Sequence, residues 1–254
     1  MNKKLVFFTV VYNPDDNVYV NISNAIDKGF DVFVYLNHAS EDDIIRLKKM
    51  GINILGDNIN AGLGVAFNDL ETMLLKNGGG DFLYFDQDTI VGRETLSNIL
   101  TRYRGDLKDN DGYSIFYTSE NVEKFKSGFF PSSGCLFRIN EESLMHNRSY
   151  HVECVDYEYC CQTIIDGGSI KPISIKGIDH ESLQDSTEKS FLGKRVIFRV
   201  YPSSRVKDFN YSHVRLIVFS ILNLRFKLAF FLIKSLFAFN AGNIKNRILD
   251  FISC

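Results

Sequence analysis

The sequence predicts an α/β protein in which helices cover both faces of a mixed, mostly parallel sheet. In the first 85 residues, four short apolar runs alternate with three segments of helical character. The apolar runs contain few polar residues, which is typical of strands buried on both faces. The first two helical segments are followed directly by Gly29 and Gly51, and glycine is a common helix stop. This alternation of strand and helix favours parallel strand pairing.

The predicted strands are residues 5–11, 31–36, 52–55 and 82–85, and the predicted helices between them are residues 18–28, 42–50 and 63–76. The later pattern is less regular, with strands predicted at 113–118, 134–139 and 170–175 and a helix at 157–165. Open parallel sheets bind ligands beyond the carboxyl ends of their strands. Asn13 follows the first strand and Asp86 follows the fourth, so both are expected on the ligand side.

Charge and hydropathy divide the chain into a predicted domain at 1–205 and a tail at 206–254. Residues 199–254 carry nine Lys and Arg against two acidic residues, although the whole chain has a net charge of -2. Between residues 213 and 239 the chain is rich in Leu, Ile and Phe, but the longest charge-free run of this stretch, 216–224, is far below the roughly 20 residues that span a bilayer. We predict one or two helices lying on an anionic membrane surface. A helical cap packed on the domain or on a second subunit is the alternative.

Cysteine content and the start of the chain both suggest a cytoplasmic protein. The five cysteines are odd in number and lack paired metal-type spacing, which favours a reducing compartment. The apolar run at 5–12 is too short for a signal peptide. Nucleic acid is not an expected partner.

Two carboxylates, Asp86 and Asp88, flank Gln87 at the end of the fourth predicted strand. Oxygen ligands suit a hard divalent cation, and carboxylates two positions apart can serve one site. One of them could instead accept hydrogen bonds from a sugar hydroxyl. A solvated turn, or a cap of the helix that begins near Arg93, is the structural alternative.

Further motifs follow in a recognisable order. They are Val11-Tyr12-Asn13-Pro14-Asp15, Asn60-Ala61-Gly62-Leu63-Gly64-Val65-Ala66-Phe67-Asn68, Phe85-Asp86-Gln87-Asp88-Thr89, Ser133-Gly134-Cys135-Leu136-Phe137-Arg138, Asp156-Tyr157-Glu158-Tyr159-Cys160, His180, and the stretch from Arg199-Val200-Tyr201 to Arg205. Over residues 5–205 this order resembles family 2 glycosyltransferases of the GT-A fold, most of all the rhamnosyltransferase-type enzymes of bacterial O-antigen and capsule synthesis. The resemblance implies transfer of rhamnose or another hexose from a TDP-, UDP- or GDP-linked donor to an undecaprenyl-linked glycan. It also implies a peripheral location on the inner face of the bacterial cytoplasmic membrane.

The resemblance also implies roles for individual residues. Asp156 matches the catalytic base, with Glu158 in reserve, and Asp88 and His180 match ligands of Mg²⁺ or Mn²⁺. The residues expected to contact the donor are Thr9, Tyr12, Asn13, Asn37, Asn60, Asn68, Asp86, Ser133, Gly134, Arg199 and Arg205.

These roles suit the chemistry of sugar transfer. A cation neutralises the charge of a departing nucleoside diphosphate, and a carboxylate removes the proton of a weakly nucleophilic hydroxyl. A direct attack of this kind inverts the anomeric centre. Structural alternatives remain at single positions: Asp156 could be a helix N-cap, and His180 a surface histidine.

Two other classes of protein deserve comparison. A nucleotidyltransferase would join a similar fold to a metal, but residues 11–15 offer no glycine-rich basic phosphate loop. A non-catalytic nucleotide- or carbohydrate-binding module on the same scaffold would not need the base. A dinucleotide-binding dehydrogenase is also disfavoured. Gly62-Leu63-Gly64 lacks the third glycine of the dinucleotide-binding fingerprint, and it follows the third strand instead of the first.

Overall fold

The computed structural model of the chain describes residues 4–107, 115–119, 130–168, 170–180, 187–191, 194–198 and 200–252. The chain divides into two compact units, with the division between residues 181 and 182. The sequence analysis placed a domain boundary later, between residues 205 and 206. The second compact unit therefore includes a hairpin as well as the C-terminal helices.

Within the described residues, the first unit contains a seven-stranded sheet in the order β3-β2-β1-β4-β7-β6-β8. Its strands are β1 (Val6–Tyr12), β2 (Asp31–His38), β3 (Asn53–Leu55), β4 (Gly80–Tyr84), β6 (Ile115–Ser119), β7 (Cys135–Ile139) and β8 (Ile170–Ser174). β1 pairs in parallel with β2 and β4, and β2 with β3. β7 runs antiparallel to both β4 and β6, while β8 is parallel to β6. This mixed, mostly parallel sheet confirms the predicted fold class.

The helices of this unit are α1 (Asp16–Asp27), α2 (Glu41–Lys49), α3 (Leu63–Lys76), α4 (Arg93–Arg102) and α5 (Val155–Ile165), and a π-helical turn at Tyr103–Leu107 follows α4. Local capping explains where the first two begin. Asp15 Oδ1 accepts from the backbone N–H groups of Asn17 and Val18. Ser40 and Asp43 form a reciprocal capping box at the start of α2. Both caps satisfy N–H groups that have no partner inside the helix.

A second, small sheet was not predicted from the sequence. It pairs β5 (Thr89–Val91) with β9 (Ile178–His180) in antiparallel fashion. Strands of three residues are too short to display an alternating pattern, and their pairing depends on a contact that is distant in sequence.

Consecutive residues of β1 pack on opposite faces of the large sheet, as the two-residue period of a strand requires. Phe7 contacts Phe30 and Phe85, with ring centroids 6.1 and 6.0 Å away. Phe8 contacts Phe67 and Phe82, at 5.7 and 6.0 Å. Six consecutive residues of β1 are buried, so both faces of the sheet centre are covered.

The second unit consists of the hairpin β10 (Thr187–Phe191)–β11 (Lys194–Phe198) and the helices α6 (Ser203–Leu222) and α7 (Phe226–Ile252). The two helices are joined by matched contacts. The amides of Asn210 and Asn240 exchange hydrogen bonds of 3.2 and 2.6 Å, and the rings of Phe209 and Phe239 stack at 3.7 Å.

None of the helices in the described ranges has a stretch long and apolar enough to cross a bilayer.

Candidate active site

The carboxyl ends of β1, β2 and β4 meet at one edge of the sheet because these strands are parallel. Asn13 follows β1 in the left-handed conformation, with φ of 51°, which asparagine tolerates better than most residues. Its backbone N–H donates to the carbonyl of His38 over 2.8 Å. The rings of Tyr12 and His38 lie 5.6 Å apart. The ends of β1 and β2 are thereby fixed to each other.

Gln87 connects this edge to the acidic turn that follows β4. Its Oε1 accepts from the backbone N–H of Tyr12 at 2.7 Å, and its Nε2 donates to the Tyr12 carbonyl at 3.0 Å. A side-chain amide here replaces the neighbouring strand that the end of β1 would otherwise need. The two flanking carboxylates, Asp86 and Asp88, are therefore held at a fixed position against β1. The sequence analysis did not assign a role to Gln87.

Asp86 itself is held from two sides. Tyr84 Oη donates to Asp86 Oδ1 at 2.6 Å, and the Asp86 N–H donates to Ser133 Oγ at 3.1 Å. Ser133 Oγ also lies 2.7 Å from Thr89 Oγ1. Burial and the charge of Asp86 hold the pKa of Tyr84 above its usual range, so the phenol stays a hydrogen-bond donor. Tyr84 could have been noticed in the sequence, because a residue two positions before Asp86 on a strand faces the same side.

Asp156 lies in the first turn of α5, where its carboxyl feels the charge of Asp86. Burial raises the pKa of its carboxyl to about 7, assisted by the charges of Glu153 and Asp86 and opposed by a hydrogen bond from the Tyr157 N–H. That N–H donates to Asp156 Oδ1 over 2.8 Å. A carboxyl with such a pKa exchanges protons near neutral pH, as a general base requires.

The alternative that Asp156 is the N-cap of α5 is wrong. The cap is Cys154, which has φ of 64° and makes no side-chain capping bond. The reserve residue Glu158 lies two residues further along the first turn of α5 and is buried. Its carboxylate accepts from Asn147 Nδ2 at 3.3 Å and from the side-chain amide of Gln162. Glu158 is therefore engaged in packing α5 against the preceding segment.

The two residues expected to bind metal are brought together by the small sheet. In the β5–β9 ladder Thr89 pairs with His180, so the backbone of His180 lies across from the residue that follows Asp88. The side chain of His180 is outside the described part of the structure. Among the side chains that are described, no group of three His, Cys, Asp or Glu forms a metal cluster. A carboxylate oxygen suits both Mg²⁺ and Mn²⁺, and an added imidazole nitrogen favours Mn²⁺.

Four of the predicted donor contacts have defined places in the first unit. Thr9 is buried within β1, three positions before its end. Asn37 is also buried, and its Oδ1 accepts from the Ala61 N–H at 3.1 Å, beside the exposed Asn60. Asn68 donates to the His146 carbonyl at 2.9 Å. Asn37 and Asn68 thus hold neighbouring chain segments in place.

Three further predicted donor contacts are Gly134, Arg199 and Arg205. Gly134 has φ of +85°, and a Cβ there would lie 2.6 Å from the Thr118 carbonyl. The close approach that requires glycine is therefore to β6. Arg205 lies in α6, in the second unit, and Arg199 is outside the described residues.

The glycines of the 60–68 motif also serve chain packing. A Cβ at Gly62 would lie 2.3 Å from His151 Nδ1, and one at Gly64 would lie 2.4 Å from the Tyr150 carbonyl. The N-terminus of α3 is thus in backbone contact with the segment that leads to α5. This contact fixes the distance between α3 and the helix that carries Asp156.

Comparison with known proteins gives matches in structure only. No protein-family model matches the sequence. The curated protein sequences contain no significant match either.

Among solved structures, TarS of S. aureus, a glycosyltransferase, aligns with 85% of the chain at a TM-score of 0.55 and 12% identity. Its 1–349 fragment in complex with UDP-GlcNAc aligns with a TM-score of 0.54 and 13% identity, again over 85% of the chain. The chain spans only 40% of TarS and 66% of the fragment. At this identity the likeness concerns the fold, and the chain therefore has the GT-A glycosyltransferase fold.

Proposed function

We propose that the protein is an inverting glycosyltransferase that moves a hexose from a nucleotide-diphosphate sugar to a hydroxyl of a lipid-linked glycan. The observation that carries the proposal is the meeting of Asp86, Asp88 and Asp156 at the carboxyl edge of a GT-A sheet. Asp86 raises the pKa of Asp156 through its charge, which supports a position of the two carboxyls near each other. A diphosphate-sugar site and a base have to lie close together for transfer to occur.

In the proposed reaction Asp156 accepts the proton of the acceptor hydroxyl. The hydroxyl oxygen forms a bond to the anomeric carbon as the bond from that carbon to the diphosphate breaks. Attack from the face opposite the leaving group inverts the anomeric centre. Asp86, fixed by Tyr84 and Ser133, would accept hydrogen bonds from the ribose or the sugar.

Asp88 and His180 are the residues that would hold Mg²⁺ or Mn²⁺. The bound cation would offset the negative charge that grows on the nucleoside diphosphate as the bond breaks. The support for this assignment is the β5–β9 pairing, which brings residues 88 and 180 to neighbouring positions.

The donor is the first property to test. Because the TarS fragment has been solved with UDP-GlcNAc, we propose UDP-GlcNAc beside TDP-rhamnose as the first donors to test. A ligand that binds only the folded state raises the melting temperature. We expect one nucleotide sugar among UDP-, TDP- and GDP-linked donors to do so in the presence of Mn²⁺, and to be consumed when a polyprenyl-linked glycan is added. No stabilisation by any of these donors would refute the proposal.

The second unit is proposed to bind the inner surface of the bacterial cytoplasmic membrane, where a lipid-linked acceptor resides. Aromatic residues on α7 are widely exposed, including Phe230 at 65% and Phe237 at 72%. Lys227 and Lys234 lie on the same helix. Exposed aromatic rings combined with lysines are typical of helices that lie on anionic lipid.

A further inference from the structure

A buried acid–histidine pair lies on the aromatic face of the sheet, outside the residues assigned above. The side chains of Glu71, on α3, and His146, between β7 and α5, have no exposed surface. His146 Nδ1 lies 2.5 Å from Glu71 Oε1, and the His146 N–H donates to Glu71 Oε2 at 2.8 Å. The imidazole stacks on Phe67 at 4.1 Å and on Tyr159 at 4.0 Å. The ring is therefore fixed in both position and orientation.

A narrow cavity lies beside the pair, and His146 is one of the residues that line it. His146 Nε2 and Ser132 Oγ are buried and have no hydrogen-bond partner among the described residues. Both residues line this cavity, which has the size of about one water molecule, and Asp156 lines it as well. Buried polar atoms are nearly always bonded to protein or to ordered water. The cavity thus has the minimum room for one water molecule, next to two buried polar atoms that lack a hydrogen bond.

Charge determines the direction of the hydrogen bond at Nε2. A net charge is costly in an aromatic environment, so the Glu71–His146 pair is most stable when its total charge is zero. Two proton arrangements have zero charge: a carboxylate with an imidazolium, and a carboxylic acid with a neutral imidazole. Nε2 carries a proton in both, because the acid of the second form donates to Nδ1. His146 Nε2 is therefore a donor towards the cavity.

We infer that Glu71 and His146 are positioning residues for Asp156, acting through a water held between His146 Nε2, Ser132 Oγ and the Asp156 carboxylate. The water accepts from Nε2 and donates to Asp156. This inference rests on the proposed role of Asp156 as the base. The hydrogen bond keeps this half-buried carboxylate ionised and aimed at the acceptor, since donation to the charged form of an acid favours that form.

Several groups near Asp156 favour its protonated form, and the water has to offset their effect. Glu153 and Asp86 add to the effect of burial and favour the protonated acid, while the Tyr157 N–H favours the carboxylate. Among the described residues, the neutral titratable side chains whose pKa is raised by the charge of Asp156 are Tyr84, Cys135, Tyr157, Cys160 and Cys161. Donors to the carboxylate are thus needed for Asp156 to act as a base at neutral pH.

The test removes the pair as a whole, which separates positioning from packing. In the double variant Glu71→Gln/His146→Phe, the glutamine oxygen still accepts from the N–H of residue 146 and a ring still fills the space between Phe67 and Tyr159. Replacing a buried ion pair in this way often leaves stability unchanged. Ser132→Ala is the second variant, which removes only the other polar atom of the cavity. Cys160→Ala is the matched control, since Cys160 lines the same cavity without joining the chain of hydrogen bonds.

The quantity measured is the pKa of Asp156. It is determined by ¹³C NMR of protein with labelled aspartate, and the spectrum of Asp156→Asn assigns the signal. We expect the pKa to rise by about one unit in the double variant and in Ser132→Ala, and to stay constant in Cys160→Ala. With a donor and an acceptor, kcat should fall about fivefold for the same two variants at pH 7, because a smaller fraction of Asp156 is ionised, with KM for the donor unchanged.

The two proposals fail in different ways. An unchanged Asp156 pKa in both variants overturns the positioning role, even in an active enzyme. A pKa shift in a protein that neither binds nor consumes any nucleotide sugar confirms the hydrogen-bonded link from Glu71 and His146 to Asp156 but refutes the glycosyltransferase. A crystal structure with an empty cavity at a resolution that shows ordered water would also refute the water bridge.

Discussion

The side-chain amide of Gln87 and the backbone of Tyr12 exchange two hydrogen bonds, one in each direction. The acidic turn after β4 is thereby joined to the end of β1 instead of projecting into solvent. Rigid attachment is important because a donor site loses affinity when the protein must order itself on binding. Gln87 therefore acts on the site without having to contact the donor.

Replacing Gln87 with alanine should loosen the acidic turn. We expect Gln87→Ala to weaken donor binding about tenfold and to lower the free energy of unfolding by about 1–2 kcal/mol, as the Tyr12 backbone loses its partners. Titration calorimetry and chemical denaturation measure the two effects. Asn77→Ala is the control, because its amide bonds Met73 at the far end of α3. Equal loss of donor affinity in both variants would argue against a specific role for Gln87.

Activity should rise with pH as Asp156 loses its proton. The pKa of this carboxyl is raised to about 7, and only the deprotonated form can accept a proton from the acceptor. The kcat profile should therefore increase through about pH 7 and level off above it. Asp156→Asn should lower kcat by about 10²–10⁴-fold while donor binding persists. Wild-type-like turnover in Asp156→Asn would assign the base to another residue.

A divalent cation should stabilise the protein through Asp88. With nucleoside diphosphate present, Mn²⁺ should raise the melting temperature of the wild type, whereas Asp88→Ala should abolish this increase. Asp166→Ala is the control, since Asp166 is an exposed carboxylate at the end of α5. An undiminished effect of Mn²⁺ on Asp88→Ala would remove Asp88 from the cation site.

The contact between α3 and the segment before α5 predicts a sensitive glycine. An added Cβ at Gly64 would lie 2.4 Å from the Tyr150 carbonyl and 2.6 Å from the Asn147 carbonyl. Gly64→Ala should therefore lower the free energy of unfolding by about 1–3 kcal/mol. Gly242→Ala, in α7, meets no atom within 4 Å and should stabilise the protein slightly instead. Denaturant titration distinguishes the two, and a neutral Gly64→Ala would contradict the close packing.

The proposed membrane contact depends on the exposed rings of α7. Phe230 and Phe237 are seven positions apart and so lie on one side of the helix. The double variant Phe230→Ser/Phe237→Ser should reduce sedimentation with phosphatidylglycerol vesicles about tenfold or more, given the apolar area removed. Val20→Ser, an exposed apolar position on α1, is the control. Sedimentation equal to that of the wild type, or none with the wild type, would overturn the contact.

The sequence predicted the fold well wherever the signal was local. The predicted helix at 63–76 has the bounds of α3, because an apolar periodicity and the glycines around it mark both ends. The edge position of Asn13 and Asp86 followed from parallel strand order alone. No local pattern marks β5 and β9, whose three-residue strands exist only through their pairing.

The parts of the site that were missed depend on long-range contacts. Nothing in the local sequence marks Gln87, because its side chain bonds a backbone 75 residues away. In the sequence, Glu71 is indistinguishable from an exposed acidic residue of an amphipathic helix. Only the folded structure shows its contact with His146. Buried polar pairs of this kind become visible only when the chain is folded.

The pairing of Thr89 with His180 also fixes an order of events during synthesis. Asp86 and Asp88 leave the ribosome early, with β4, but β9 is made only after α5 and β8. Closing such a long loop is slow relative to local structure formation. The proposed cation site is therefore a late product of folding, and a nascent chain that stops before residue 178 has the sheet edge without the strand that completes it.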